Sequence, residues 1–454
     1  MRLMPPQDSM FIIPESREQP MHVGGLQVFE LPPGADERFV TDLYTKAIST
    51  PEVSPLFRKR PHRSLATGGQ WAWVEDDELD LEHHIRHSAL PRPNRVRELL
   101  ALSSRLHSTL LDRKRPLWEA HFIEGLDHNR FAVYSKTHHA MMDGISALRL
   151  MQRSMSTDPD ADLPLPFALP PRGRRAGSGS GLLHLPAAAA HAAWDAVALT
   201  PTLFQIAQKA LFEQRVALPG VAPRTILNTG ISGSRRFAAD GWDLARLRDV
   251  ADKAGATIND VVLAMSAGAL RQYLIDLDAL PDAPLTAMVP VSLRDADADI
   301  DDTSNAVGIV LCNLATDLDD AGDRLAAVRQ SMLHGKDVLR GLDQFQITAL
   351  SAIAMSPMAL NSFLPVHKFL NPPFNLVISN VPGPDQPLYF NGARLQGLYP
   401  LSIPTHGQAL NITVTSYAGS MQFGLTGDRR ALPSLQRLLV HLEDSLSALE
   451  KAVA

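Results

Sequence analysis

The sequence predicts a layered α/β (α+β) protein of two domains. Three observations lead there: a length of 454 residues, strand and helix periodicities interleaved in both halves, and a stretch between them rich in proline, glycine and serine. Globular chains tend to split into separate domains beyond about 250 to 300 residues. Hydrophobic residues make up 45% and charged residues 20% of the chain, which is the composition of a folded protein with material for a large core.

Before the central stretch, Met21 to Leu31 and Phe131 to Thr137 carry β-favouring residues. Glu98 to Leu111 and Gly144 to Met155 place apolar residues at helical spacing. From Thr157 to Gly181 come Pro164, Pro166, Pro170, Pro171 and the run Gly177-Ser178-Gly179-Ser180-Gly181, a composition that resists one packed conformation. Arg172, Arg174 and Arg175 beside it read as solvated charges. The expected division is therefore 1–156, a flexible linker 157–183, and 184–454. After an alanine-rich helical region, Asp243–Gly255, Asn259–Ile275 and Asp323–Leu339 read as helices, and Leu285–Val291, Phe374–Ser379 and Ala409–Tyr417 as strands. Periodicity does not fix the strand order.

Several classes are excluded or disfavoured. A net charge of −6 supplies no basic field for a nucleic-acid backbone, so no nucleic-acid partner is expected. The single cysteine, Cys312, rules out an intrachain disulfide framework and a cysteine-rich zinc site, and suits a reducing, cytoplasmic compartment. The N-terminal residues lack the apolar run of a secretory signal. Gln344 to Val366 is uncharged but carries Gln346, Thr348, Ser351, Pro357 and Asn361, which suits a buried or interfacial element better than a membrane span. A peripheral membrane contact stays open. The sequence has no G-x-S-x-G elbow, H-E-x-x-H helix, Walker loop or dinucleotide glycine fingerprint.

Chemistry concentrates at His138-His139-Ala140-Met141-Met142-Asp143-Gly144, where a strand meets a helix. Adjacent side chains on extended backbone point to opposite faces, so one histidine faces a given cleft and the other does something else. A neutral imidazole can accept an alcohol proton near neutral pH. Asp143 can hold the base or the turn that presents it, and Gly144 permits a tight turn or close backbone approach. A plain histidine pair with a helix-capping aspartate is the simpler alternative. His83 and His84 lack the downstream Asp-Gly and read as structural residues. Diverging neighbours with no third ligand leave no metal site expected.

This string resembles the H-H-x-x-x-D-G signature shared by CoA-dependent acyltransferases and peptide-synthetase condensation domains. With Pro20-Met21-His22-Val23-Gly24, Pro116-Leu117-Trp118-Glu119, Asn259-Asp260-Val261-Val262-Leu263-Ala264, Val289-Pro290-Val291-Ser292-Leu293-Arg294 and Ser379-Asn380-Val381-Pro382-Gly383-Pro384, the chain resembles the bacterial wax ester synthase/diacylglycerol acyltransferase family over nearly its whole length. The resemblance implies two chloramphenicol-acetyltransferase-like domains with an active-site channel between them. It implies acyl-CoA as donor substrate, with no separate cofactor, and a fatty alcohol or diacylglycerol as acceptor. It further implies His139 as general base, His138 as support, and Asp143 in a structural role, paired with Arg294.

Asn411 with Thr413 or Thr415 would share one strand face as oxyanion donors, although cross-strand hydrogen bonding is the simpler reading. Leu117 and Trp118 read as packing around the site, with Trp118 a candidate channel residue. Asn259 and Asp260 read as helix-capping residues. The chain departs from the family pattern at Ser304-Asn305, where a Gly-Asn pair is common, so no role carries over to Asn305. Ser379 to Pro384 reads either as a rigid turn or as a channel wall. The methionine-rich Gln344–Leu370 segment is a candidate acyl-chain wall or membrane dock, with ordinary core as the alternative. The cytoplasm is the expected place of work, with peripheral attachment to the inner membrane face or to lipid inclusions left open.

Overall fold

The structure, a computed structural model, describes residues 1–169, 222–292, 307–342, 346–347 and 371–454. Its first six-stranded sheet runs in the order β12 (Tyr389–Phe390), β13 (Ala393–Leu401), β2 (His22–Glu30), β7 (Arg130–His138), β6 (Trp118–Leu126) and β5 (Ile85–Ala89). The second runs β10 (Val307–Asn313), β9 (Thr286–Ser292), β11 (Leu376–Val381), β14 (Leu410–Tyr417), β15 (Ser420–Asp428) and β8 (Arg235–Asp243). A small third sheet joins β1 (Arg2–Leu3), β4 (Trp71–Glu75) and β3 (Lys59–Arg63). Helices and strands alternate through both halves, so the architecture is the layered α/β one expected.

Strand β7 is buried nearly throughout because its two faces enter different cores. Phe131 and Val133 join a cluster with Phe29, Trp118 and Met151. Ala132 and Tyr134 join Leu26, Val28 and Leu99 on the other face. Such a strand reads as a continuous apolar run because each face is covered. In the second half, the helix Ile258–Asp276 is apolar on nearly every side and is buried among the helices Leu244–Ala254, Ala321–Arg340 and Arg437–Ala452. Its start is fixed by a capping box in which Thr257 Oγ1 accepts from the Asp260 amide (3.2 Å) and Asp260 Oδ2 accepts from the Thr257 amide (2.9 Å). Asp260 therefore caps, as its position suggested.

The partition into 1–156, 157–183 and 184–454 does not describe where every segment packs. Strand β13 belongs by sequence to the last part but pairs antiparallel with β2, from Arg394 opposite Glu30 to Leu401 opposite Gly24. A bulge between Leu395 and Gly397 shifts the alternation, so that Leu398 rejoins the core face of Ala393 and Leu395. Phe237 and Ala239 of β8 pack among the residues of the first sheet. At the crossing of β13 and β15, a Cβ on Gly424 would lie 2.0 Å from the Pro400 carbonyl oxygen, so only glycine permits the approach.

The expected linker is also ordered at its start. Leu165, Phe167 and Leu169 are buried, the Phe167 ring stacks on Trp118 at 5.3 Å, and the Ser54 amide donates to Phe167 O. Three large apolar side chains at alternate positions outweigh the flanking prolines. The remainder of that segment, the alanine-rich region, and all of Gln344–Leu370 except residues 346–347 lie outside the described residues. Among the described residues, no helix is long and apolar enough to cross a membrane.

Among the histidines buried in and around the first sheet are His22, His84 and His107. Burial pushes His84 down to about 4 and His107 to about 3, and holds His22 well below the usual value. The unfolded chain takes up these protons below pH 6.5 while the folded chain refuses them, so each ring costs up to about 1.4 kcal/mol of stability per pH unit below that point. Glu119, held at about 2 despite its burial, adds a second loss once the pH falls below the carboxylate range. The urea midpoint should therefore fall steadily from pH 7 to pH 5, before ordinary carboxylates protonate. An unchanged midpoint across that interval would show that these rings are not buried neutral.

Candidate active site

The two adjacent histidines diverge as strand geometry requires. Both are held first by backbone: the His138 amide donates to Leu117 O (2.9 Å) on β6's side and the His139 amide to Met21 O (2.8 Å) on β2's side. The His138 ring is wholly buried. Its Nδ1 accepts from the Ala140 amide at 3.0 Å, which places the ring proton on Nε2, 3.3 Å from Glu15 Oε1. The His139 ring lies in the wall of a chamber and stacks on Phe11, with ring centroids 4.1 Å apart. Burial lowers its pKa below the ordinary histidine value, against the opposing pull of Asp143. The ring that faces the chamber is thus neutral near pH 7, with a lone pair available to take a proton.

Glu15 gave no signal in the sequence, being 123 positions from its partner in an irregular segment. Its carboxylate also accepts from the Met21 amide (3.1 Å) and from Arg113 Nε (3.0 Å). Burial alone would raise its pKa, but the His138 hydrogen bond, the Met21 amide and Arg113 together hold it below the usual carboxylate value. One carboxylate therefore contacts the His138 ring and holds the residue, Met21, whose carbonyl receives the His139 amide.

Pro116-Leu117-Trp118-Glu119 has three separate duties. Leu117 supplies the carbonyl that receives the His138 amide. Trp118 Nε1 donates to Phe57 O (2.9 Å), and the indole is stacked on His84, whose Nδ1 lies 2.8 Å from Trp118 O. Glu119 pairs at 3.3 Å with the fully buried Lys136 of β7, whose Nζ also donates to Leu106 O and Thr109 O. With a carboxylate and two carbonyls around it, the Lys136 ammonium is satisfied, and β7 is anchored two residues before His138.

Asp143 is the N-cap of the helix Gly144–Arg153, its Oδ1 accepting from the Ser146 amide at 2.7 Å. Arg294 and Asn305 lie outside the described residues, so the expected Asp143–Arg294 pair has no description. Gly144 differs from expectation. Its φ is not positive and a Cβ there would meet nothing within 4 Å, so neither a tight turn nor close approach demands glycine. It lines the chamber, and the absent side chain leaves that space open.

The chamber, of about 430 Å³, lies between the two six-stranded sheets. Across from His139 its wall is a checkerboard from two parallel strands, with Val377 beside Asn411, Ser379 beside Thr413 and Val381 beside Thr415. All three expected oxyanion candidates therefore face the same space as His139. They are not equivalent, because Thr413 Oγ1 donates to Asn411 Oδ1 at 2.9 Å whereas Thr415 Oγ1 is buried with no hydrogen-bond partner among the described residues. Past Val381 the chain turns where a Cβ on Gly383 would lie 2.1 Å from Ser416 O, so this turn requires glycine. Ser379 and Val381 do line the chamber, so the segment is both turn and wall.

An apolar annex of about 80 Å³ adjoins the chamber through the shared residues Ser135, Thr137, Ala147 and Met151. Trp118 walls this annex with Phe29, Phe122, Met155 and Phe167, and does not touch the main chamber. Among the described residues, no three of His, Cys, Asp and Glu converge as metal ligands. The site as built can deprotonate a hydroxyl, offer hydrogen-bond donors to a developing oxyanion, and house an apolar chain beside both.

Residues 4–262 match the model of the wax ester synthase/diacylglycerol acyltransferase catalytic domain and residues 303–450 that of the WS/DGAT C-terminal domain. A probable diacylglycerol O-acyltransferase of Mycobacterium tuberculosis is 51% identical, with 100% of each chain covered. The O-acyltransferase WSD of Acinetobacter baylyi is 42% identical over 100% of this chain and 98% of its own. The solved wax ester synthase/diacylglycerol acyltransferase from Marinobacter aquaeolei VT8 superposes with a TM-score of 0.81 at 42% identity, both chains fully covered. The first condensation domain of the CDA synthetase, 15% identical with a TM-score of 0.57 over 100% of this chain and 96% of its own, shares the fold.

Asparagine caps a helix about as well as aspartate, so Asp143→Asn should leave the helix intact while removing the charge that favours protonated His139. The His139 pKa, followed by NMR titration of labelled imidazoles, should then move still further below the ordinary value. An upward shift or no shift would contradict the electrostatic coupling of Asp143 to that ring.

Proposed function

The chain belongs to the wax ester synthase/diacylglycerol acyltransferase family, and from that premise we propose that it moves a long-chain fatty acyl group from acyl-CoA to a fatty alcohol, to diacylglycerol, or to both. The observation that carries this reading is the neutral His139 ring on a chamber that opens beside an apolar annex and faces amide and hydroxyl donors. In this reaction His139 takes the proton of the acceptor hydroxyl as its oxygen adds to the thioester carbonyl carbon. The carbonyl electron pair moves onto oxygen, where Asn411 and Thr415 are the donors we assign to it. Collapse re-forms the carbonyl, breaks the carbon–sulfur bond, and returns the proton from His139 to the departing thiolate. No acyl-enzyme and no cofactor enter, since acyl-CoA is consumed as a substrate.

The annex suits the methylene chain of a fatty substrate, whose burial contributes about 0.8 kcal/mol per methylene. Phe29, Trp118, Phe122 and Phe167 give it aromatic walls, and Glu119, which also lines it, is paired with Lys136. His138 and Glu15 act on the base from behind, and Asp143 holds the helix that closes the chamber. Because both acceptors are lipids, we place the enzyme at the cytoplasmic face of a membrane or at a lipid inclusion. The helix Pro6–Ile12 supports that placement: Phe11 faces His139, while Met10 and the following Ile13 are 55% and 52% exposed.

Purified protein supplied with palmitoyl-CoA should release thiol only when hexadecanol or diacylglycerol is present, with the matching ester identified by mass. Thiol release without ester would mean thioester hydrolysis, and turnover only with a carrier-linked acyl donor would replace acyl-CoA in the scheme. His139→Ala should lower turnover about 10² to 10⁴-fold with the thermal transition retained. Full activity in the folded variant would remove His139 from the mechanism.

A further inference from the structure

The hydroxyl of Thr413 was expected to be a candidate oxyanion donor, but its proton is already committed. Thr413 Oγ1 donates to Asn411 Oδ1 (2.9 Å) and lies 2.6 Å from Ser402 Oγ. A hydroxyl has one proton. Since Thr413 spends its proton on Asn411, the short contact with Ser402 is one in which Ser402 donates and Thr413 accepts. The two hydroxyls form a directed pair that ends on the oxygen of the Asn411 carboxamide. That amide is thereby oriented: its oxygen is occupied along the strand, and no protein acceptor among the described residues takes its Nδ2 hydrogens. Ser402, Thr413, Asn411 and His139 all line the same chamber.

Ser402 is itself fixed through its own backbone. It follows β13 directly, its amide donates to Thr426 Oγ1 (3.2 Å), and its carbonyl lies 3.1 Å from His107 Nε2. His107 Nδ1 in turn lies 2.9 Å from the Tyr134 hydroxyl. A neutral imidazole has one donor and one acceptor, so Nε2 donates to Ser402 and Nδ1 accepts from Tyr134. The chain of bonds therefore runs from β7, which carries the histidine pair, through the helix Val96–His107 to Ser402 and across to β14.

Building on the acyltransferase reading, we propose that Ser402 and Thr413 are positioning residues that turn the Nδ2 hydrogens of Asn411 into the chamber, where they bind the oxyanion of the tetrahedral intermediate. Asn411 touches the reacting oxygen. Ser402 and Thr413 act only through it. Their contribution should accordingly appear in kcat and leave KM for acyl-CoA and acceptor nearly unchanged, because the oxyanion exists only on the way through the reaction.

The test is steady-state thiol release by the full-length protein and its Thr413→Val, Thr413→Ser, Ser402→Ala and Asn411→Ala variants, with thermal unfolding recorded for each. Loss of a single oxyanion donor typically lowers kcat about 10² to 10³-fold, which is expected for Asn411→Ala. Thr413→Val, isosteric but without the hydroxyl, should lose about tenfold in kcat, the equivalent of one net hydrogen bond. Thr413→Ser should retain activity within about threefold, a smaller loss than that of one such bond. Adding Thr413→Val to Asn411→Ala should cost nothing further. Equal kcat in the Val and Ser variants, or a full Thr413→Val loss in the Asn411→Ala background, would overturn the proposal. Ser402→Ala, at a half-buried position, provides the same readout should Thr413→Val unfold, and an unchanged kcat there would also overturn it. Unsubstituted protein that releases no thiol would overturn the acyltransferase reading, and this proposal with it.

Discussion

The antiparallel pairing of β13 with β2 is the constraint on which the site depends. It hands a strand from the second half of the chain to the first sheet, between β12 and β2, and the polypeptide then returns within a few residues to β14. One wall of the chamber is built on β2 and β7, the other on β11 and β14. Their separation is set by backbone hydrogen bonds rather than by surface contacts between two independent bodies. The close crossing at Gly424 and the packing of Phe237 among residues of the first sheet reinforce the same junction. A chamber fixed in this way can hold a base and oxyanion donors at a constant spacing, which catalysis by pre-organised dipoles requires.

Around this frame the interior contains an unusual amount of polar chemistry. Lys136, Glu119, Glu15, His138 and His107 are deeply buried, and each would be costly if unpaired. Each has partners: Lys136 on Glu119 and two carbonyls, Glu15 on Arg113, the Met21 amide and the His138 ring, His107 on Tyr134 and Ser402. Such a network contributes little net stability compared with apolar packing, but it leaves few alternative arrangements. The neutral His139 stands apart: its ring stacks on Phe11 and one edge faces the chamber. Its depressed pKa follows chiefly from that burial, against which the Asp143 charge pulls the other way.

Much of this was legible in the primary structure, for physical reasons that differ from residue to residue. His139 and His138 could be told apart in kind because adjacent strand residues must diverge. The strand β14 could be expected to present Asn411, Thr413 and Thr415 together because their spacing is two. Asp260 and Asp143 could be read as caps because capping is local. Glu15 could not be found that way, since its partners are brought to it by folding of a segment without periodicity. Gly144 was assigned the wrong reason: its backbone is ordinary, and it serves by leaving space.

The sequence by itself determined local features of this protein: its layered α/β class, the positions of several strands and helices, the divergence of the histidine pair, and through ordered motifs its family. Those follow from periodicities of two and 3.6 and from short-range capping, which act over a few residues. Tertiary structure decided that β13 crosses to the first sheet, that residues 165–169 pack, that Trp118 walls an annex rather than the chamber, and that Thr413 orients Asn411. Each of these depends on which of several chemically similar partners lies within about 3 Å, and that distance is set only when remote segments are brought together.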